Sequence, residues 1–312
     1  MRLCAVSVDL DEIPNYFAIH GLPEPVGSAR TLVYDVALDR LSALAAELAL
    51  PLTLFAIGSD LSRAESAAKL RAFASSGFEI ANHSLDHRYD LVRLGRAEMR
   101  RQVLEGAHAI ERATGALPVG FRAPGYTVSD ELFGVLAELG VEYDSSVFPC
   151  PAYLAAKATK LLTIAMRGRR SHSIFGSPMV LRAPTRPYRV GNPYWRRGGG
   201  LLELPIQVTR YMRLPFIGTT LALAGPKVGR RLARSCVGEP LVNLELHGID
   251  VLDASDGLEM LAAHQPDVRV SRARKLHSLR AAIGELAQTG YTFVTLRSAA
   301  QAISQGQAAA IS

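Results

Sequence analysis

Two aspartates one residue apart, Asp9 and Asp11, follow a short apolar run near the start of this 312-residue chain. Residues two apart in a strand point to the same side, so this spacing can aim both carboxylates at one point. One can then hold a cation while the other accepts a proton. A histidine pair stands four apart in His83-Ser84-Leu85-Asp86-His87. If the turn there is helical, both imidazoles share a face and reach one metal. With Asp9 or Asp11 they form a His-His-carboxylate set with open coordination positions, a pattern typical of catalytic zinc and non-haem iron. Arg122-Ala123-Pro124-Gly125-Tyr126 joins an arginine able to hold a carboxylate to a loop able to show backbone N–H groups to a developing oxyanion. His247, after the run Leu241 to Leu246, can protonate a leaving amine if a carboxylate such as Asp144 or Asp250 tunes it. Each group alone has a plain counterpart: a solvated turn pair, surface histidines, a Pro-Gly turn, a structural histidine. Their recurrence at four successive strand ends is what points to a site.

The elements that must position these groups alternate. Strands are expected at Leu3 to Val8, Leu52 to Ile57, Phe78 to Ala81, Pro118 to Arg122 and Val141 to Asp144. Helices are expected at Arg30 to Leu50, Ser59 to Ser76, Arg96 to Thr114 and Ser129 to Leu139. Such alternation implies parallel strands with crossover helices. Pro149 to Gly200 breaks the rhythm, with only Met179 to Leu181 strand-like, and reads as an insertion or set of lid loops at 149–200. Strands at Leu201 to Val208, Leu241 to Leu246 and Tyr291 to Leu296 follow, with helices at Pro226 to Cys236 and Ser271 to Thr289 and a small-residue tail from Ser298 that can fray. One domain, 1–312, accommodates all of this.

The net charge of +6 and a pI near 9.4 favour anionic partners, whether nucleic acid, phospholipid headgroups or a phosphorylated substrate. The basic residues lie in local clusters, Lys157 with Lys160, Arg167 to Arg170, Arg196 with Arg197, and Arg230, Arg231 and Arg234, and no nucleic-acid motif accompanies them. Cys4, Cys150 and Cys236 form no C-x-x-C pair, which argues against a zinc ribbon or a disulfide framework and for a reducing compartment. The first residues leave no room for an export signal, so a cytoplasmic location is expected. No apolar stretch approaches the roughly 20 residues that span a bilayer. The apolar run Leu214 to Ala224 with the basic residues after it makes 211–236 a candidate for peripheral contact with an inner membrane surface or a lipid-linked sugar; a barrel helix with a basic outer face is the competing reading.

In order, the segments Leu52 to Gly58, Phe78 to His87, Phe121 to Tyr126, Tyr143 to Pro149 and Leu244 to His247 resemble the successive blocks of the polysaccharide deacetylase family. The resemblance spans about residues 3–149 and 200–297. It implies a distorted TIM-like (β/α)7-8 barrel and a hydrolase removing a small N-acyl group from an aminosugar. In that family's terms Asp11, His83 and His87 hold one divalent metal, zinc by preference with cobalt, iron, nickel or manganese as alternatives. Asp9 acts as general base, oriented by Arg122; the backbone at Gly125 or Tyr126 assists the oxyanion; His247 protonates the amine with Asp144 as its partner. Leu10 separates aspartates that are commonly adjacent in the family, a spacing similar to an intracellular branch that includes peptidoglycan-deacetylase-like and lipid-linked aminosugar deformylase proteins. A deformylase or another linear amidase is the alternative activity, and a catalytically inactive glycan-binding module the alternative of another class.

Overall fold

A computed structural model describes residues 2–306. β1 (Leu3–Asp9) is buried throughout because β8 (Leu241–His247) pairs with it in parallel along one edge and β2 (Leu52–Ala56) takes the other from Val6. A strand covered on both faces carries a continuous apolar run, which is why this segment reads so plainly. β3 (Glu79–Asn82), β4 (Gly120–Phe121), β5 (Tyr143–Asp144) and β7 (Arg197–Glu203) extend the parallel sheet beyond β2, and β6 (Tyr188–Val190) runs antiparallel outside β7. β9 (Thr292–Phe293) pairs with Leu3 and Cys4 of β1.

The sheet curls until its ends approach. Past Glu203 the chain reaches β8, where Gln207 N donates to Asn243 O (3.0 Å) and Asn243 Nδ2 to Leu204 O (3.0 Å). The result is the distorted (β/α) barrel expected from the alternation. Around it lie α1 (Ile13–Ile19), α2 (Leu38–Leu48), α3 (Ala64–Ser75), α4 (Arg96–Thr114), α5 (Asp130–Glu138), α6 (Pro151–Met166), α7 (Gly218–Cys236), α8 (Glu259–Ala262), α9 (Arg272–Gln288) and α10 (Leu296–Ser304). Local chemistry sets their limits: the Ser129 hydroxyl accepts from Leu132 N at the start of α5, and α4 stops at Gly115 in the left-handed region. Among the described residues no helix is long and apolar enough to cross a membrane.

Several elements depart from the sequence reading. The helix expected from Arg30 to Leu50 is a 3-10 turn, a π turn at Val33–Ala37 and then α2, because the Glu12 carboxylate accepts the Val33 and Tyr34 N–H groups (3.0 Å each) and organises the entry. The stretch 149–200 is not without regular structure. It contains α6, a 3-10 turn at Pro178–Arg182 in place of the strand at Met179 to Leu181, β6, and the first residues of β7. α6 fully buries only Ile164, so its helical period carries little core signal. The glycines that open β7 permit close strand approach: a Cβ on Gly198 would stand 2.5 Å from Gly191 Cα. α7 begins at Gly218 rather than Pro226, with a kink at Gly225.

The barrel interior is layered. Leu3, Ala5 and Leu241 pack against Leu296, Ala299, Ala300 and Ile303 of α10, which plugs the end where the strands begin. The tail expected to fray from Ser298 is therefore helical to Ser304; its last residues lie outside the described ones. Above this apolar plug comes a hydrogen-bonded layer containing Ser7, Asn243, Ser145 and the side chain of Arg122. Asp9 and His247, paired in register at the ends of β1 and β8, form the top.

Gly106 of α4 touches the loop that follows β3, since a Cβ there would meet Asn82 Oδ1 at 2.7 Å and Ser84 C at 2.8 Å. Gly106→Ala is expected to destabilise the protein by about 1–3 kcal/mol through overpacking. Urea denaturation of the variant beside the native protein measures it.

Candidate active site and metal centre

β1 ends at Asp9, and Leu10 N donates to Phe55 O of β2 (3.0 Å), so Asp11 lies beyond the strand. Arg122, fully buried just past β4, donates from Nη1 to Asp9 Oδ1 (2.6 Å). Its Nε donates to Ser145 O (2.8 Å), and its Nη2 to Ser7 Oγ and Ser145 Oγ (2.9 Å each). Its guanidinium also lies over Phe55, 4.1 Å from the ring centroid.

The histidine pair is not on a helix. Ser84 and His87 adopt φ of +70° and +50°, and the loop is tied to α4 through Leu85 N to Gln102 O (2.9 Å) and Asp86 N to Gln102 Oε1 (3.0 Å). Ser84 Oγ accepts from His87 N (3.1 Å). These constraints set the two rings 4.8 Å apart. His83 Nδ1 faces Arg122 O at 2.7 Å, an outer partner that fixes the tautomer and leaves Nε2 toward the carboxylates. His83 Nε2 stands 3.3 Å from Asp11 Oδ1 and 3.8 Å from Asp9 Oδ2, and His87 Nε2 3.2 Å from Asp11 Oδ2.

Burial alone would raise the Asp11 pKa, but the neighbouring His87 and His83 hold it well below the usual carboxylate range. Burial pushes the His87 imidazole down despite Asp11, which favours the neutral form a metal requires. Asp11, His83 and His87 each offer one atom within 4.8 Å of the others. Asp9 Oδ2, Asp11 Oδ1 and His87 Nε2 are buried without hydrogen-bond partners, and a divalent cation among them would satisfy such atoms. The donor set fits a catalytic cation, three protein ligands leaving open positions.

Across the mouth, His247 Nε2 lies 4.0 Å from both Asp9 Oδ2 and Asp11 Oδ2. Its Nδ1 is 2.7 Å from Glu245 Oε1, two residues earlier in β8. Burial would lower the His247 pKa, but Glu245 foremost, then Asp11 and Asp9, raise it well above the ordinary histidine value. The partner expected at Asp144 is therefore corrected to Glu245. Asp144 instead accepts from Ser146 N (3.0 Å) and Ser146 Oγ (2.8 Å), and burial raises its pKa beside Glu203, itself raised well above the carboxylate range by burial and Asp144. That pair joins the ends of β5 and β7. Asp250, the other carboxylate weighed for His247, accepts its backbone N–H (2.8 Å) rather than its ring. Strand alternation could have found Glu245, since it shares a face of β8 with His247.

Gly125 and Tyr126 both adopt left-handed φ, +62° and +59°. The Tyr126 N–H donates to Ala123 O (3.0 Å), so it is committed within the turn, while the Tyr126 hydroxyl reaches His247 Nε2 at 3.4 Å. The expected oxyanion role of Tyr126 N–H is not prepared in this arrangement; its hydroxyl is the group that faces the site.

These groups open into a cavity of about 460 Å³. Asp9, Asp11, His83, Tyr126 and His247 line one side, and apolar residues of α6, notably Ala156, Leu161 and Ile164, line another. His20 and His264 also line it, with ring centroids 6.0 Å apart. His108 and His277 are exposed on α4 and α9.

Residues 34–143 match the family model for polysaccharide deacetylase. The match takes in His83, His87, Arg122, Gly125 and Tyr126 but not Asp9, Asp11, Asp144 or His247. The fold resembles that of a protein from Mycobacterium smegmatis assigned as a polysaccharide deacetylase, with TM-score 0.61 and 20% identity over 98% of this chain and 92% of that one. A Xyl-CE4 domain of a multidomain xylanase, from the hindgut metagenome of Trinervitermes trinervoides, has TM-score 0.50 and 14% identity over 98% and 91%. A family 4 carbohydrate esterase pseudoenzyme from Bacillus anthracis has TM-score 0.51 and 12% identity over 96% and 65%. A comparison with curated proteins finds no match.

If His247 serves as an acid, the step needing its imidazolium is supported below its raised pKa and lost as pH rises through it. Glu245→Gln removes the foremost raising charge, so the alkaline limb of kcat/KM is expected to move to lower pH, by about 1–3 units. A pH–rate profile of the variant checks this, and an unmoved limb would separate Glu245 from the acid.

Proposed function

We propose that this chain, carrying a polysaccharide deacetylase match and the corresponding barrel, is a metal-dependent hydrolase that removes a small N-acyl group, acetyl first, from an aminosugar. One observation carries the reading: the orphaned polar atoms of Asp9 and Asp11 share a cavity with His83 and with His247, whose ring faces the buried Glu245 carboxylate at 2.7 Å. A cation site, a base and an acid thus meet in one place.

Asp11, His83 and His87 would hold the metal, with zinc the first expectation and cobalt, iron, nickel or manganese the others. Bound there, a divalent cation supplies polarisation of the acyl carbonyl and a lowered pKa for water. Asp9 has one oxygen fixed by Arg122 and the other free, so it can take a proton from the attacking water without moving. His247, kept protonated by Glu245, gives a proton to the departing amine nitrogen. The Tyr126 hydroxyl is placed to contact the tetrahedral oxygen or the sugar.

The same apparatus would serve a deformylase or another linear amidase, and the acyl group released decides between them. A glycan-binding module without activity has less support. It needs neither the Arg122–Asp9 pair nor the Glu245–His247 pair, although one structurally similar protein is a pseudoenzyme. Peripheral contact with a membrane or lipid-linked sugar through 211–236 gains from the exposed Tyr211 and Met212. It loses from Arg234 and Arg230, which face Glu285 of α9 at 2.6 and 3.8 Å.

The test is metal content of the native protein and His83→Ala, coupled to release of acetate or formate from a panel of N-acyl aminosugars. Near one metal per chain, lost in the variant together with acid release, is the expected outcome. Metal retained by the variant, or none taken up by the native protein from zinc or cobalt, would sink the site. Asp9→Asn is expected to lower turnover by at least about 10²-fold while largely sparing metal content.

A further inference from the structure

Beside the catalytic cavity lies a cleft of about 950 Å³ that shares Tyr89, Leu161 and Ser173 with it. Arg88, Arg93, Arg169, Arg170 and His172 line the cleft, and Lys157, Lys160 and His264 continue the basic lining into the catalytic cavity. Arg88 is neutralised by Asp90 (2.8 Å). Lys157 and Lys160 donate only to carbonyls, Gly125 O (3.0 Å) and His264 O (2.7 Å), and among the described residues no ion pair engages either lysine, Arg93, Arg169 or Arg170.

Asp86, 3.6 Å from Arg101, lines the cleft beside Asp90, but the basic groups outnumber these acids, and like charges held together cost free energy. Burial and then Lys160 push His20 down to about 4; burial lowers Lys157 to about 8; burial and then Arg167 lower Lys160. The C-terminus of α6 would favour Arg167 by its own dipole, but Lys160 lies well inside the helix and Arg169 and Arg170 lie beyond it. The arginine segment is also held in place. His172 N donates to Ala18 O (3.2 Å), and Gly21 approaches Arg170 so closely that a Cβ there would stand 2.7 Å from its carbonyl oxygen. The cationic wall is thus built against the end of α1 rather than carried on a free loop.

Resting on the deacylase reading, we propose that this cleft receives an anionic group, phosphate or carboxylate, belonging to the same substrate whose N-acyl group enters the catalytic cavity. The substrate is then an acidic N-acyl aminosugar, not a neutral polymer. Lys160 lines the catalytic cavity and Arg169 the adjoining cleft, one on each side of the shared Leu161, and these are the residues that would distinguish it, the guanidinium by a fork of hydrogen bonds and the ammonium as a point charge.

Glucose 1-phosphate has no amide to cleave, so its binding, measured by calorimetry, is independent of catalysis. It is expected to bind the native protein more tightly than glucose, and the double variant Lys160→Gln, Arg169→Gln to weaken that binding roughly tenfold to hundredfold. Circular dichroism checks that the variant is folded. In parallel, acid release from N-acetylglucosamine 1-phosphate and from N-acetylmuramic acid is compared with release from N-acetylglucosamine. Preference for one anionic sugar, reduced in the double variant, supports the proposal and says whether phosphate or carboxylate is read. Equal release from neutral and anionic sugars, with no selective binding of glucose 1-phosphate, overturns it and leaves the deacylase reading standing. Selective binding without acid release from any sugar overturns the deacylase reading while the anion cleft stands. Cosedimentation with phosphatidylglycerol vesicles that the double variant loses, without discrimination among sugars, assigns the wall to a membrane and also overturns the proposal.

Discussion

The buried guanidinium of Arg122 is the constraint on which the rest of the site is arranged. Removing such an ion from water costs several kcal/mol, and only a full set of partners offsets that. Here the partners are Asp9, Ser7, the Ser145 hydroxyl and the Ser145 carbonyl, drawn from β1 and from the chain just after β5. Ser7 and Ser145 in turn meet Asn243, whose side chain bonds the carbonyls that bring the far edge of the sheet to β8. Closure of the barrel and orientation of the candidate base therefore depend on one side chain. Its own carbonyl also receives His83 Nδ1, so the same residue orients a candidate ligand.

Around this centre, buried carboxyl groups are separated by environment into different tasks. Asp9 faces the Arg122 guanidinium and Asp11 faces His83 and His87, which hold it well below the usual carboxylate range, whereas Asp144 and Glu203 face each other and are pushed toward the protonated form. Glu245 lies deeper in the barrel and acts outward through His247. Chemically identical side chains thus divide into candidate base, ligand, tuner and structural pair by what surrounds them.

The cavity is asymmetric for a related reason. Strand ends supply the ionisable groups, because the parallel sheet places all of them at one end of the barrel. α6 supplies an apolar wall, with Lys157 and Lys160 on it, and the segment after it supplies arginines. On the proposed reading, chemistry comes from the strand ends of the barrel and recognition from α6 and the arginine segment that follows it.

The order of strands and crossover helices through Asp144 was legible in the sequence, because buried strands are continuously apolar and helix ends carry their own caps. So were Asp9, Asp11, His83, His87, Arg122 and His247 as a group, since each follows such a strand. The sequence pointed to Asp144 rather than Glu245 as the partner of His247, because the carboxylate nearest its ring stands inside an apolar run where a charge looks like an exception. α6 was missed because it buries so little, and α10 because its small residues read as a fraying tail, although Leu296, Ala299, Ala300 and Ile303 recur with helical spacing. The sequence by itself determined which residue types stand at the strand ends. Only the tertiary structure decided their pairing, since curling the sheet brings β5, β7 and β8 together across long stretches of chain that no local pattern spans.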